Sequence, residues 1–403
     1  MKKDQQHTNV PHLRFPEFSG EWETTSIGEQ FELYSGNTPT RINKNQFNGS
    51  INWITSGELK GHYISDTKEK ISEEAVRNNN LKILPLGTFV IAIYGLEADG
   101  VRSTCSITAK ESTISQACMA FTSKKDIQNE FLYSWYKKHG NIIGIKYAQG
   151  TKQQNLSYDI IEKFNISYPS LEEQEKLIRF ISLIEERIAT QNKIIEKLQS
   201  LIKGLVDELM TVLLKGKLYP FSSFYIKAGE GGTPTTSVVE YYTEGTIPFI
   251  KIEDLSCKYL TNNKDFITEL GMQKSSAWLI PSKSVIYSNG ATIGAISINE
   301  YPICTKQGIL GIVPNTNINV EYLYLLMSSS YFSKEISRII TEGTMKTAYL
   351  KDINHIKCPL PSMAQQKNIT NLTSSIEEKL SIEQELLRFL NLQKQYLLHM
   401  MFI

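Results

Sequence analysis

Residues 169–216 read PSLEEQEKLIRFISLIEERIATQNKIIEKLQSLIKGLVDELMTVLLKG, and this stretch decides the fold. Apolar side chains recur along it at alternating steps of four and three residues, the repeat of helices that pair side by side. The pattern predicts one helix, roughly 65 Å long. Its seam positions are Leu177, Ile181, Ile184, Ile188, Gln191, Ile195, Leu198, Ile202, Leu205, Leu209 and Val212.

The ends of this helix are marked by capping signals. Ser170 followed three residues later by Glu173 predicts a capping box, in which each side chain satisfies a backbone amide of the other residue. Pro169 precedes that cap and Gly216 follows the last turn, as helix ends prefer. Gly204 lies inside the helix at a cost of about 1 kcal/mol relative to alanine, either to admit a bulky neighbour or as simple tolerance.

A second copy of this helix follows at the C-terminal end of the sequence. Pro361 and Ser362 repeat the proline and the cap, with Gln365 in place of the glutamate, which we expect to weaken that cap. A stray amphipathic helix seen twice is the alternative, but the shared cap, period and offset argue against it. A shift of 192 residues places the second seam at Ile369, Thr373, Ile376, Leu380, Glu383, Leu387, Leu390, Lys394, Leu397 and Met401.

The segments before the two helices repeat each other as well. Short apolar runs at residues 51–54 and 88–94 predict strands, and residues 129–139 predict a short helix. The whole chain is therefore one unit of roughly 190 residues written twice. Matching pairs are Thr38-Pro39-Thr40 with Thr233-Pro234-Thr235, Glu58-Leu59 with Asp254-Leu255, Leu84-Pro85 with Ile280-Pro281, and Phe131-Leu132-Tyr133 with Tyr322-Leu323-Tyr324.

The duplication predicts an α+β fold of two tandem mixed globular domains and two long helices, related by a pseudo-two-fold axis. We expect the first globular domain at residues 1–168, the first long helix at 169–216, the second domain at 217–360 and the second helix at 361–403. The second helix starts from a domain that begins where the first helix ends. Seam-to-seam packing therefore requires an antiparallel coiled coil with one domain at each end.

Composition excludes some classes of function. The net charge of the 403 residues is +1, and no segment is strongly basic, which argues against a free-standing nucleic-acid binder that relies on phosphate neutralisation alone. The five scattered cysteines contain no C-x-x-C pair, so neither a disulfide framework nor a zinc site is indicated. No apolar run reaches membrane-spanning length, and we expect a cytoplasmic protein.

No pattern of catalytic residues is found in the sequence. Phosphate-binding and dinucleotide-binding glycine loops are absent, as is H-E-x-x-H, and the histidines are isolated. The glycine-rich run at residues 288–294 is better explained as a turn after a strand than as a cofactor loop. We therefore expect a binding subunit with no catalytic residue, no metal site and no cofactor of its own.

Polar loops that recur at matching places in the two copies are the candidates for function. Lysine and arginine side chains suit phosphates and guanine, and asparagine and glutamine suit adenine. An ordinary surface loop is the alternative for each. The candidate DNA-binding residues are Arg41, Lys60, Tyr94, Lys152, Gln153, Gln154, Lys251, Asn289, Lys346 and Thr347. The candidate helix-pairing or partner-interface residues are Ile181, Ile184, Ile188, Ile195, Leu198, Ile202, Leu205, Ile376, Leu380, Leu387, Leu390 and Leu397.

The duplicated plan and the two joints between domain and helix resemble the specificity subunit of type I restriction–modification enzymes. The joints are Pro-Ser-Leu-Glu-Glu-Gln174 and Pro-Ser-Met-Ala-Gln-Gln366, and in that family a Pro-x-x-x-Glu-Gln joint closes each target-recognition domain and opens a conserved helix. The resemblance covers essentially the full chain. The second joint departs from the pattern, with Gln365 where glutamate is usual.

The resemblance implies that each globular domain reads one half of a bipartite double-stranded DNA target and that the helices set the gap. Two modification subunits carrying S-adenosylmethionine would dock on the helices and methylate an adenine in each half. Two motor-nuclease subunits would add translocation and cleavage that depend on ATP and Mg²⁺. The chain itself would make no bond and would direct enzymes that flip a base.

Three alternatives stay open from the sequence. The chain could be a scaffold whose paired helices only hold other proteins, or an enzyme with an unrecognised site. It could also be a specificity subunit for a related system that assembles differently.

Overall fold

The computed structural model describes residues 9–97, 101–150, 154–290, 292–340 and 346–403. The chain separates into two compact units. Unit 1 comprises Met1–Asn192 with Leu386–Ile403, and unit 2 comprises Lys193–Glu385. Both divisions fall inside the long helices, so each unit contains one globular domain and a part of each helix.

The globular domain of unit 1 consists of short strands and four helices. Its strands are β1 (Glu23–Ser26), β2 (Phe31–Ser35), β3 (Ile51–Ile54), β4 (Tyr63–Ile64), β5 (Lys70–Ile71), β6 (Phe89–Ala92), β7 (Cys105–Thr108), β8 (Ser112–Ile114), β9 (Cys118–Ser123) and β10 (Asn165–Tyr168). Its helices are α1 (Ile27–Gln30), α2 (Glu73–Asn78), α3 (Asn129–Tyr147) and α4 (Tyr158–Ile161), followed by the long helix α5 (Leu171–Leu213).

The globular domain of unit 2 follows the same plan. Its strands are β11 (Leu218–Pro220), β12 (Tyr225–Glu230), β13 (Ile247–Ile250), β14 (Tyr259–Leu260), β15 (Asp265–Ile267), β16 (Val285–Ser288), β17 (Ile296–Asn299), β18 (Cys304–Thr305), β19 (Ile309–Pro314) and β20 (Lys357–Pro359). Its helices are α6 (Glu269–Gln273), α7 (Val320–Ser328), α8 (Ser330–Ile339) and α9 (Leu350–Ile353), followed by α10 (Met363–Met401).

The sheets of the two units have matching strand order, which confirms the duplication predicted from the sequence. Unit 1 contains a five-stranded sheet β2-β9-β6-β7-β4, a three-stranded sheet β5-β3-β8 and the pair β1-β10. Unit 2 contains β12-β19-β16-β17-β14, β15-β13-β18 and β11-β20 in the same places. In each unit the contacts of the third strand with its two neighbours are antiparallel on one side and parallel on the other.

Glycines at equivalent positions allow the chain to leave the first strand of each large sheet. A Cβ atom on Gly36 would lie 1.9 Å from the carbonyl oxygen of Ile114. A Cβ atom on Gly231 would lie 2.1 Å from the carbonyl oxygen of Thr305. Both distances are far below van der Waals contact, so each position requires glycine. The Thr-Pro-Thr segments that follow therefore start from the same backbone path.

The long helices run antiparallel within each unit, as predicted. In unit 1, Leu177 near the start of α5 shares a buried core with Met401 at the end of α10, and Lys394 contacts Glu185. In unit 2, Met210 near the end of α5 shares a core with Ile369 near the start of α10. The predicted helix-pairing side chains are all buried or half-buried.

One feature of the helices differs from the sequence-based expectation, and a second decides between two alternatives that the sequence left open. Val212, assigned to the seam, is 61% exposed, because Val206 and Met210 take the buried positions in the last turns. No neighbour approaches a Cβ atom built on Gly204, so no bulky neighbour explains this glycine.

The prediction for the two helix caps is reversed. Ser362 and Gln365 form the complete capping box, with each backbone amide bonded to the partner's side chain at 3.0 and 3.4 Å. At the first joint the Ser170 hydroxyl accepts from the Glu173 amide, but the Glu173 carboxylate binds the Arg14 guanidinium at 2.7 and 2.8 Å. The bidentate ion pair with Arg14 engages the carboxylate that the sequence assigned to the cap.

The glutamine that ends each joint anchors the helix to its domain. The Gln174 side chain accepts from the Gln128 amide at 3.0 Å and donates to the carbonyl oxygens of Asp126 and Pro169. Gln366 makes the same three bonds, to the Asn319 amide and to the carbonyls of Asn317 and Pro361. Both glutamines are fully buried, so each joint is held by satisfied polar contacts.

Candidate nucleic-acid interface

Two chain segments meet beyond the end of strand β6 in unit 1. Tyr94 and Asn155 form an isolated β-bridge, and the Leu96 amide donates to the Gln154 carbonyl oxygen at 3.0 Å. The Arg102 guanidinium donates to the Gln154 side-chain oxygen at 3.2 Å. The contacts fix the polar loop before α4 against the strand end, as required of a loop that presents side chains to a ligand.

The equivalent segments meet at the same place in unit 2. The Ala348 amide donates to the Asn289 carbonyl oxygen at 2.9 Å, and the Asn289 side-chain amide donates to the Ala348 carbonyl at 3.1 Å. The turn that follows β16 closes with the Gly294 amide bonded to the Ser288 carbonyl, which confirms the turn predicted for residues 288–294. Each unit therefore joins a strand end to the loop before its last short helix.

Asn289 does not match its sequence-based interpretation as a base-reading side chain. Its side chain is 1% exposed and holds Ala348, so the amide is committed to the fold of unit 2. Tyr94 takes the equivalent position in unit 1, is half-buried and packs against the main core. We interpret both residues as supports of the loops beside them.

The other predicted residues differ in their surroundings. Arg41 forms a bidentate ion pair with Glu69 at 2.7 and 2.9 Å, and Lys251 pairs with Asp265 at 2.8 Å. Lys60 and Lys346 are exposed. Lys152 and Gln153 lie outside the described residues, and Thr347 is half-buried. The structure thus brings Tyr94 to Asn155, which follows Gln154, and it brings Asn289 to Ala348, which follows Lys346 and Thr347 in the chain.

A cluster that the sequence did not predict connects the domain of unit 1 to its long helix. His62 Nδ1 bonds Glu185 of α5 at 2.5 Å, and Nε2 bonds Glu130 of α3 at 2.7 Å. The imidazole lies between the rings of Tyr63 and Tyr133, with centroid distances of 4.2 and 4.0 Å and nearly parallel planes. We call these five residues node 1.

The charges around node 1 favour a protonated imidazole. Burial alone would lower the pKa of His62, but its hydrogen bonds to Glu130 and Glu185, with the attraction of both carboxylates, raise it to about 9. Burial would raise the pKa of Glu185, but the bond from His62 and the nearby Lys394 ammonium outweigh it and lower that pKa. Glu185 therefore binds two cations, one from the domain and one from α10.

Unit 2 contains an equivalent cluster around a lysine. Lys258 Nζ binds Glu377 of α10 at 2.5 Å and lies 3.5 Å from Glu321 of α7. The ammonium lies 5.2 and 5.6 Å from the ring centroids of Tyr259 and Tyr324. These five residues are node 2, and each matches a residue of node 1 in the duplicated sequence.

Sequence reasoning missed the nodes because their members are far apart in the chain. The signal that could have found them is the duplication itself. His62 matches Lys258 at an offset of 196, whereas Glu185 matches Glu377 at an offset of 192. A search of the matched positions for retained charge pairs would have found this cation and its carboxylates.

An exposed apolar face lies on the part of α10 that belongs to unit 1. Leu386, Phe389, Leu392 and Tyr396 are 36, 52, 49 and 58% exposed. Their spacing of three and four residues places them along one side of the helix, away from the buried Leu390 and Leu397. We call these four side chains the outer face of α10.

Two classes of feature are absent from the described part of the chain. No helix there is both long enough and apolar enough to cross a membrane. No group of three or more His, Cys, Asp or Glu side chains there could hold a metal ion.

Comparison with known proteins identifies the family. The model of the type I restriction modification DNA specificity domain matches residues 19–200 and again residues 224–391. The MjaIX specificity subunit of Methanocaldococcus jannaschii is 24% identical over 384 residues, covering 89% of this chain and 88% of that protein.

Solved structures share the fold. The S subunit of the type I restriction–modification system of M. genitalium aligns with a TM-score of 0.54 at 17% identity, over 98% of this chain and 99% of that one. A chain from a study of the complex assembly and conformational transition of the type I R-M system gives 0.60 at 15% identity, over 94% and 96%. With two matches to the family model along its length, the chain belongs to the type I restriction–modification DNA specificity subunits.

Proposed function

We propose that each globular domain reads one half of a bipartite double-stranded DNA target, and that the paired helices set the gap between the halves. The observation that carries this proposal is the duplicated scaffold with unlike loops. The two units share strand order and glycine positions, but most residues of their loops differ. One scaffold carrying two different surfaces suits two different half-sites.

The exposed side chains of each loop region supply suitable chemistry. Lys60 in unit 1 and Lys346 in unit 2 are exposed ammonium groups that can neutralise phosphates. Gln154 is half-buried, and the Arg102 guanidinium binds its side-chain oxygen, which leaves its amide group to donate to a base edge. The residues Lys152, Gln153 and Thr347 remain candidates on the same loops.

We infer that the helices also bind two modification subunits. The outer face of α10 supports this inference, because contiguous exposed apolar side chains on a helix mark a protein-binding surface. S-adenosylmethionine would then be held by the modification subunits. ATP and Mg²⁺ would be held by two motor-nuclease subunits, with no bond-making step in this chain.

A paired substitution tests the outer face. Phe389→Ser should lower the amount of modification subunit that co-purifies with the chain by roughly tenfold, the effect of losing one large apolar contact. Gln395→Ser is the control, because Gln395 is also exposed on the same helix and is not one of the four residues of the outer face. Equal recovery of partner with both variants would refute docking at this face.

Exchange of one domain tests half-site reading. Residues 217–360 would be replaced by the same region of a relative, and the methylated sequence would be mapped across the genome of a host that carries the complex. We expect one half of the methylated sequence to change and the other half to stay. A change in both halves would contradict separate reading.

The alternative is a non-catalytic coiled-coil scaffold that does not read DNA sequence. The family match and the duplicated domains argue against it. Binding of the assembled complex to its mapped target no more tightly than to random duplex would favour the scaffold instead.

A further inference from the structure

We propose that nodes 1 and 2 are the positioning elements that fix the direction in which each domain presents its loops relative to its long helix. This inference rests on the proposed reading of two half-sites. It assigns a role in gap specificity to His62 and Lys258, neither of which lies in the predicted DNA-binding loops.

Each node connects three elements of its unit. His62 lies directly before strand β4, Glu130 lies in the first turn of α3, and Glu185 lies on α5. One half-buried cation therefore joins the sheet of the domain, its main helix and the long helix. Lys258, Glu321 and Glu377 join the equivalent elements of unit 2.

Each domain is attached to its long helix at two separate points. Gln174 anchors the domain of unit 1 at the start of α5, and Glu185 anchors it eleven residues further along, about 16 Å at the rise of an α-helix. Gln366 and Glu377 have the same separation in unit 2. Two polar attachments at that distance define a direction, whereas the first alone would allow the domain to tilt about its joint.

A small tilt would matter for a protein that reads spacing. A rotation of roughly 10° moves a surface about 20 Å away by about 3.5 Å, which is close to the rise of one base pair. Loss of the second attachment is therefore expected to change the gap between half-sites that the complex accepts, even where each half-site is still recognised.

Both units retain the node, although most of their residues differ. The backbone beside each cation is held in the same way. Ser106 Oγ donates to the Gly61 carbonyl and Ser297 Oγ to the Cys257 carbonyl, each at 2.7 Å. The carbonyls of His62 and Lys258 each accept an amide of the neighbouring strand at 2.7 Å. Both domains are attached to a long helix. We therefore infer that the node, which both domains retain, serves this attachment.

The test uses the chain assembled with its modification partner and a set of duplexes that carry the two mapped half-sites. The gap in these duplexes is one base pair shorter than, equal to, or one base pair longer than the natural gap. We expect His62→Gln to reduce the preference for the natural gap by roughly tenfold, the effect of losing charge-assisted bonds. Lys258→Gln should act similarly from unit 2.

Rescue and control variants separate positioning from folding. His62→Lys should restore the wild-type gap preference to within about twofold, because node 2 shows that a lysine fits this geometry. Glu186→Gln alters an exposed carboxylate next to Glu185 and should change nothing. If His62→Gln does not fold, Tyr63→Phe removes only the 2.8 Å bond to Glu130 and should relax the preference by a smaller factor.

The outcomes distinguish this inference from the proposed function. A wild-type complex with no preferred gap would overturn the proposed function. A wild-type complex with a strict gap, together with folded node variants that keep that gap, would overturn the positioning role alone. Loss of gap preference in His62→Gln with no rescue by His62→Lys would also overturn it.

Discussion

Nodes 1 and 2 have the same geometry but different cations and different surroundings. In unit 1 a second cation, Lys394, binds Glu185 from α10. The equivalent seam position in unit 2 is Ile202 on α5, which makes no ion pair with Glu377 and lines a cavity beside it. The two units share the two tyrosine rings and the two carboxylates around the cation. The identity of the cation, and the presence of a second cation such as Lys394, differ between them.

The cavity beside node 2 is lined in part by residues that differ between the units. It has a volume of about 830 Å³ and is lined by Ile202, Ser328 and Ser329, among others. The positions of the two serines are taken in unit 1 by Lys137, which lies over the ring of Tyr133, and by Lys138, which donates to the Phe402 carbonyl at 2.6 Å. Unit 1 therefore carries long basic side chains at the positions where unit 2 carries short serine side chains beside the cavity.

The largest expected effect comes from removing the carboxylate that each node shares with its long helix. Glu185→Gln would remove the carboxylate that His62 shares with Lys394 and leave His62 paired with Glu130 alone, and we expect unit 1 to lose about 2–4 kcal/mol of stability. Glu377→Gln leaves Lys258 with Glu321 and should cost about half as much. Hydrogen exchange of peptides from each unit measures the two separately. Equal losses would mean that Lys394 adds nothing to node 1.

A smaller effect is expected from exchanging the seam residues that differ. Lys394→Ile removes one of the two cations from Glu185 and should destabilise unit 1 by about 1–2 kcal/mol. Ile202→Lys places an ammonium within the cavity near Glu377 and should protect unit 2 from exchange. Thermal unfolding, with hydrogen-exchange protection of each unit as the readout, measures the effects of both substitutions. Faster hydrogen exchange of unit 2 in Ile202→Lys would contradict this comparison, because the cavity would then not accept a second cation.

The smallest expected effect is a pH dependence of stability that distinguishes node 1, which contains a histidine, from node 2, which contains a lysine. The pKa of His62 is about 9 in the folded chain and about 6.5 when unfolded, so its stabilising charge is fully present below pH 6.5 and is lost as the pH rises through 9. We expect unit 1 to lose about 1 kcal/mol over this interval, after allowance for solvent screening.

Unit 2 is the internal reference for that measurement, because its node contains Lys258 in place of the histidine. His62→Lys should abolish the loss in unit 1. Denaturant titrations at pH 6.5 and 9, read by exchange protection of each unit, give the comparison. An unchanged stability of unit 1, or an equal loss in both units, would contradict the assignment of this charge to His62.

The sequence predicted those parts of the fold that repeat at short or fixed intervals. The seam of α5 has a regular period, so its packed positions were predicted up to Ile202, and the strand at Ile51–Ile54 was found from its local run of apolar residues. Val212 was misplaced because two buried residues, Val206 and Met210, shift the contact in the last turns.

The candidate site was less accessible to sequence reasoning. Asn289 was predicted as a DNA-binding candidate because it lies in a polar loop that recurs in both copies, yet its side-chain amide donates to the carbonyl of Ala348, 59 residues away. Node 1 joins residues separated by 68 and 123 positions, and no local period reports such contacts. Long-range polar pairs of this kind are found only when two copies of a sequence are compared position by position.

The buried glutamines at the two joints have a consequence for how such chains change. Gln174 and Gln366 bind main-chain atoms of the loop before α3 or α7, together with the carbonyl of their own proline. Main-chain groups are the same in every protein, so a recombined domain with any surface residues can be seated on the same helix, provided its loop follows the same course. New DNA specificities can therefore arise by shuffling of whole domains, with no compensating change in the helices that receive them.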